Sequence, residues 1–138
     1  MSCIFCRIAA GEIPAEIVAR GDGYTAFLDV TPLADGHVLV VPTAHVATIE
    51  DLTPGDADAL FRAVRRLAGP TRTAVGAAGS TVGINNGAAT GQTIPHVHVH
   101  IVPRWEHDGA GSVHTIFRAG TRRPIAEVGR AIRQALES

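Results

Sequence analysis

Residues 96 to 101 read His-Val-His-Val-His-Ile, imidazoles alternating with β-branched apolar side chains. Period two belongs to a strand: His96, His98 and His100 share one side, and Val97, Val99 and Ile101 share the other, facing the core. Rise alone separates neighbouring histidines by about 6.6 Å. A chain with this segment must build a sheet with one apolar face and one imidazole-lined face. Such a run could be a solvated strand face, a set of metal ligands, or a catalytic surface on which a neutral imidazole attacks phosphorus. Three histidines in strict register argue against plain solvation, so the surroundings must separate the other two.

Around this strand the remaining elements are legible in outline. "GYTAFLDVTP" reads as a strand with Phe27 and Asp29 on one face, and "DGHVLVVPTAH" as a second, with Asp35-Gly36 as its turn, Pro42 as its stop, and His37, Leu39 and Val41 projecting together. Thr53, Pro54 and Asp56 form a helix start, and Leu60, Phe61, Val64, Leu67 and Ala68 follow at helical spacing. Pro70 predicts a kink or an end near Gly69. A short strand is expected over Thr81 to Asn85, running into a glycine-rich loop, and Pro103 should close the histidine strand. Ile125, Val128, Ile132 and Leu136 mark a last helical stripe, weakened by Gly129. This order gives an α+β domain with antiparallel strands and segregated helices. At 138 residues, a single domain over 1–138 is expected.

Composition removes several function classes. A net charge of −1 supplies no basic field for a nucleic-acid backbone. No apolar stretch approaches the roughly 20 residues that span a bilayer, and Glu12 and Glu16 interrupt any leader-like region. A cytoplasmic protein with no nucleic-acid or membrane partner is expected. Cys3 and Cys6 are the only cysteines, spaced as a chelating or a redox pair rather than as a disulfide scaffold.

"GQTIPHVHVHIVPR" resembles the signature of the histidine triad (HIT) superfamily of nucleotide hydrolases and transferases. "CIFCRIAAGEIPAEIV", "AFLDVTPLADGHVLVVPTAH" and "INNGAATGQT" resemble its other blocks in the same order, so the similarity covers residues 3 to 104. The resemblance implies the HIT fold: an antiparallel β-sheet with two main helices and a short N-terminal helix, assembled as a homodimer. It also implies cleavage at the α-phosphorus of purine nucleoside phosphoramidates or dinucleoside polyphosphates, AMP or GMP derivatives, through a nucleotidyl-histidine intermediate.

By the same resemblance His98 is the nucleophile, and His100 and His37 contact phosphate oxygens or handle the leaving group's proton. Asn85, Gln92 and Thr93 become phosphate-side contacts; Ile4, Phe5, Ile8, Phe27 and Leu39 wall the nucleoside; Asp29 meets the ribose. Pro103-Arg104 resembles the dinucleoside polyphosphate-cleaving branch. Some bacterial members hold a structural zinc through such a cysteine pair, a histidine after the "VVP" strand and the first histidine of the triad, here Cys3, Cys6, His45 and His96. A closed Cys₂His₂ site has no open position, so this zinc would hold the fold and is not required for the chemistry. Two rivals stand beside this reading: a nucleotide sensor or scaffold with incidental hydrolysis, and a zinc hydrolase using the histidine run as its metal site.

Overall fold

The computed structural model describes residues 3–118 and 120–138, and the chain divides into two compact units that meet in sequence at Asp108 and Gly109. The first unit holds a short helix α1 (Ile4–Ala9), strands β1 (Ile17–Gly21), β2 (Tyr24–Leu28) and β3 (Val38–Pro42), a long helix α2 (Pro54–Ala74), and strands β4 (Gly79–Gly83) and β5 (Val99–Arg104). Its sheet is antiparallel throughout, in the order β1-β2-β3-β5-β4. The expected α+β class, sheet and short N-terminal helix are all present.

Alternation gives the sheet two apolar faces. Tyr24, Ala26, Val38, Val40, Val99 and Ile101 pack against Leu60, Ala63, Val64 and Leu67 of α2. Phe27, Leu39 and Val41 point the other way and meet Phe5 and Ile8 of α1. Valines and isoleucines suit both faces because their stiff branched side chains pack on a pleated surface. His37 and His100 emerge on the α1 side, where Leu39 and His100 are opposed across β3 and β5.

α2 begins as its sequence predicts, with Thr53 Oγ1 accepting the Asp56 N–H at 3.1 Å and Pro54 in the first turn. It does not end at Gly69: Pro70 lies inside it, and the helix runs on to Ala74. Pro70 and Arg66 are both exposed, so water can satisfy the Arg66 carbonyl that a proline leaves without a partner. Beyond the helix Val75 packs over Gly36, which has φ +81°. A side chain at Gly36 would lie 3.1 Å from Val75 and 3.2 Å from Pro103. Phe61, expected on the buried stripe, is 45 % exposed.

β5 is shorter at its start than the histidine pattern implies. Its ladder opens at Val99, and the Val97 N–H donates instead to the Val46 carbonyl at 2.8 Å, so His96 lies in a bend and His98 in the irregular chain before the ladder. At the other end the strand continues through Pro103 to Arg104. β3 pairs β5 only as far as Ile101, so the missing proline N–H breaks no bond on that side. β4 spans Gly79–Gly83 rather than Thr81 to Asn85. Sequence patterning does not single out β1 at all.

The second unit carries helix α3 (Ile125–Leu136), preceded by Pro124 and braced by an Arg123–Glu127 ion pair at 2.9 Å. Ile125, Ile132 and Leu136 of its apolar stripe are exposed. Among the described residues, no helix is long and apolar enough to cross a membrane.

Candidate active site and metal centre

The three histidines of the run go to two different places. His96 turns to the cysteine pair: its Nδ1 lies 3.5 Å from Cys3 Sγ, 3.5 Å from Cys6 Sγ and 3.2 Å from His45 Nδ1, and Cys6 Sγ is 3.3 Å from His45 Nδ1. The donor atoms of these four residues all lie within 4.8 Å of one another. Zinc bonds of about 2.0–2.3 Å in a tetrahedron set donors roughly 3.3–3.8 Å apart, so the cluster is close to that geometry as it stands. His96 Nε2 donates to the Pro42 carbonyl at 2.9 Å, which leaves Nδ1 as a lone pair aimed into the cluster. Burial and the neighbouring Cys3 push the Cys6 thiol up. A divalent cation among two thiols and two imidazoles supplies the charge that lets both thiols ionise, so the donor set fits zinc.

His98 and His100 face a different environment. His98 Nδ1 donates to the backbone carbonyl of His96 at 2.8 Å, and an imidazole that gives its proton there keeps Nε2 as a free lone pair. The Leu33 N–H donates to His37 Nδ1 at 3.1 Å; His37 Nε2 must then carry the proton, which it gives to His100 Nδ1 at 2.9 Å. His100 is left with its proton on Nε2. That nitrogen is buried and has no hydrogen-bond partner among the described residues. A lone pair on His98 and an N–H donor on His100 thus sit on rings whose centroids are 5.0 Å apart.

Asp29, His37 and His100 also bring donor atoms within 4.8 Å. Here the nitrogens are committed to one another and to Leu33, a hydrogen-bonded relay rather than a set of open ligands. Burial lowers the pKa of His37, against the pull of the Asp29 charge, which sits 3.7 Å away. Burial also pushes His100 down to about 4, with His98 and His37 adding to it.

His100 should therefore stay neutral above about pH 5. The unfolded chain takes up this proton first, near its ordinary value of 6.5. The His100 contribution to stability therefore declines as pH falls from there and levels off below about 4. An NMR titration should show no His100 transition above pH 5; a midpoint near 6.5 would show that burial does not act on it.

The apolar residues expected around a nucleoside form one cluster. Phe5, Ile8, Phe27 and Leu39 are buried together, whereas Ile4, expected beside them, is 46 % exposed and does not join the cluster. Phe5 stands edge-on to His98, with centroids 5.0 Å apart. Asp29 Oδ1 accepts from the Thr31 N–H at 3.0 Å and from the Thr31 hydroxyl at 3.2 Å, closing a turn and leaving Oδ2 toward His37.

In the glycine-rich loop Gln92 is occupied by the loop itself. Its Oε1 accepts the Gly87 N–H at 2.8 Å, and its Nε2 donates to the Ala47 and Ile94 carbonyls at 2.8 and 3.1 Å. Asn85 and Thr93 are exposed beside it. Asn86, which sequence reasoning passed over, ties this loop to the 49–50 turn through the Ile49 N–H and Glu50. A backbone carbonyl of the strand is what the chemistry of a nucleophilic imidazole asks for, and the His96 carbonyl fills that place; the Pro42 carbonyl and the Leu33 N–H were missed, since no residue-type pattern reveals them. Arg104 forks onto Asp108 at 2.7 and 3.0 Å and reaches Thr81 at 3.0 Å, so it straps β5 and β4 to the following turn.

Known proteins resemble this chain over most of its length. The HIT domain model matches residues 10–107. The chain is 43% identical over 96 residues to an asymmetrical bis(5′-nucleosyl)-tetraphosphatase of Schizosaccharomyces pombe, covering 70% of this chain and 53% of that protein. It is 36% identical over 104 residues to an adenosine 5′-monophosphoramidase of the same organism, covering 75% of each. Among solved structures, a zinc-bound histidine triad family protein from Mycobacterium smegmatis superposes with a TM-score of 0.76 at 34% identity, covering 99% of this chain and 94% of that one. With the domain model spanning most of its length and the alternating histidines lying inside the matched region, this chain belongs to the histidine triad (HIT) family.

Proposed function

We propose that this protein is a hydrolase or nucleotidyl transferase acting at the α-phosphorus of purine nucleoside phosphoramidates or dinucleoside polyphosphates, with His98 as nucleophile. The observation that carries this reading is the bond from His98 Nδ1 to the His96 carbonyl, which fixes the tautomer and presents Nε2 as a lone pair. Attack by Nε2 forms a phosphorus–nitrogen bond and expels the leaving group. The positive charge that develops on the ring is met at Nδ1–H by the carbonyl dipole. His100 Nε2–H and, behind it, His37 stabilise a non-bridging phosphate oxygen, and water then releases the nucleoside monophosphate. Asn85 and Thr93 border the phosphate; Gln92 shapes the loop that does so.

Rapid-quench trapping tests the mechanism: a nucleotidyl adduct should appear on His98 before steady state, and an adduct on His100 instead would overturn the assignment. Turnover compared on adenosine phosphoramidate and diadenosine polyphosphates identifies the leaving group.

Asp29 completes the nucleoside side of the reading, with Oδ2 accepting from a ribose hydroxyl. A charge-assisted hydrogen bond contributes roughly 1.5–3 kcal/mol. Loss of the 2′-hydroxyl should thus lower kcat/KM by about tenfold to a hundredfold in the wild type, and by much less in Asp29→Asn. Because Oδ1 also closes the Thr31 turn, equal discrimination by the two proteins would mean that Asp29 serves the turn alone.

In this reading Cys3, Cys6, His45 and His96 hold one zinc ion outside the reacting phosphorus. Their donor geometry and the zinc-bound mycobacterial relative support it. Two thiols kept as ligands suit a reducing compartment, in line with a cytoplasmic protein. We further read the chain as a single HIT domain over 1–138 that works as a homodimer; sedimentation equilibrium tests the assembly.

A further inference from the structure

Two independent contacts join the cysteine–histidine cluster to the nucleophile. His96 enters the cluster through Nδ1 and is locked by its Nε2–H to Pro42, while its own backbone carbonyl holds His98 Nδ1 at 2.8 Å. One residue therefore faces the sulfurs with its side chain and the reacting imidazole with its main chain. The second contact runs through α1. Cys3 is its N-cap and Cys6 lies within it, and between them Phe5 reaches 6.0 Å from His96 and 5.0 Å, edge-on, from His98. The same ring leans on Phe27 at 5.5 Å in the nucleoside wall.

We propose that Cys3, Cys6 and His96 are positioning residues for the reaction as well as ligands that hold the fold. The inference rests on the reading of His98 as nucleophile. α1 has six residues, and no side chain caps its start. A helix so short does not persist alone, so its place depends on the buried Phe5 and Ile8 and on the two sulfurs. Release of the sulfurs lets Phe5 shift and loosens the main chain at His96 that they help to anchor, so that its carbonyl moves away from His98 Nδ1. His98 then loses both the acceptor that fixes its tautomer and the ring that limits its swing. A nucleophile displaced by about an ångström loses on the order of a hundredfold in rate.

The test compares zinc-loaded wild type, the same protein loaded with cadmium, and Cys6→Ser. Two readouts are taken: kcat and KM on a dinucleoside polyphosphate, and the ¹⁵N–¹H spectrum of the imidazole rings. Zinc-loaded protein should show His98 in one tautomer, with the proton on Nδ1. Cys6→Ser, shown to be folded by circular dichroism, should mix the two tautomers, lose about tenfold to a hundredfold in kcat, and raise KM because Phe5 also lines the nucleoside wall. Cadmium binds the same donors through longer metal–sulfur bonds. It should shift the His98 resonances and lower kcat with the fold intact, and it decides the matter if Cys6→Ser does not fold. An unchanged His98 spectrum and unchanged kcat with cadmium would overturn the proposal. Failure of the functional reading itself looks different: zinc-loaded wild type would then neither turn over nor form an adduct.

Discussion

His98→Ala should lower kcat by at least about a thousandfold while leaving nucleotide affinity within a few-fold of the wild type. The substitution removes the lone pair proposed to attack phosphorus, whereas Phe27, Leu39 and Asp29, among the proposed nucleoside contacts, lie on other strands and turns. His100 cannot take over, because its Nδ1 accepts from His37 and only its protonated Nε2 is left to face a substrate. The loss also leaves a cavity beside Phe5 and an unpartnered His96 carbonyl, so some stability should go with it. Calorimetric binding of a nucleoside monophosphate, measured beside turnover, separates the two effects. Near-normal turnover in His98→Ala together with complete loss in His100→Ala would assign the nucleophile to the wrong ring.

Purified protein should carry about one zinc per chain, the count that a closed four-donor site demands. Stripping it should lower the thermal midpoint by about 10 °C or more, because binding energy at a site assembled by the fold is also folding energy. The cluster joins the start of α1, the segment after β3 and the approach to β5, which are far apart in sequence. Elemental analysis finding no zinc in protein prepared without chelator or reductant would sink this expectation. A reversible Cys3–Cys6 disulfide is what the redox alternative predicts instead.

Much of this site could be read from residue types, because its strongest signals are chemical and periodic. Alternation alone put His100 on the face opposite Val99 and Ile101, whereas the histidine partners of the two cysteines came from the resemblance to zinc-holding HIT proteins and not from spacing. Where patterning failed, the deciding interaction was not carried by residue type. β1 is five residues long, three of them exposed and two half-buried, too short and too little buried for an apolar pattern to stand out. Pro70 carried a breaker signal, yet the exposed side of α2 tolerates it. Gln92 reads equally well as a phosphate ligand or as a loop staple, since an amide serves both and only the position of the Gly87 N–H distinguishes them. The bonds that set the tautomers of His37, His96 and His98 all end on backbone atoms, to which composition and spacing are blind.

The relay that begins at the Leu33 N–H has a consequence for leaving groups. A backbone amide can offer its hydrogen but never surrender it, so the row of donors through His37 and His100 is polarising without being acidic. Were His100 to release its Nε2 proton, His37 could refill Nδ1 only by becoming an imidazolate against that same amide, a form no neutral solution supports. In the proposed reaction these histidines would therefore steady negative charge on phosphate and deliver no hydrogen to the departing atom. Scission should accordingly favour groups that leave as stable anions, such as a polyphosphate, or substrates that arrive already protonated at the bridging nitrogen. Plotted against leaving-group basicity, the logarithm of kcat should fall along a steep negative line.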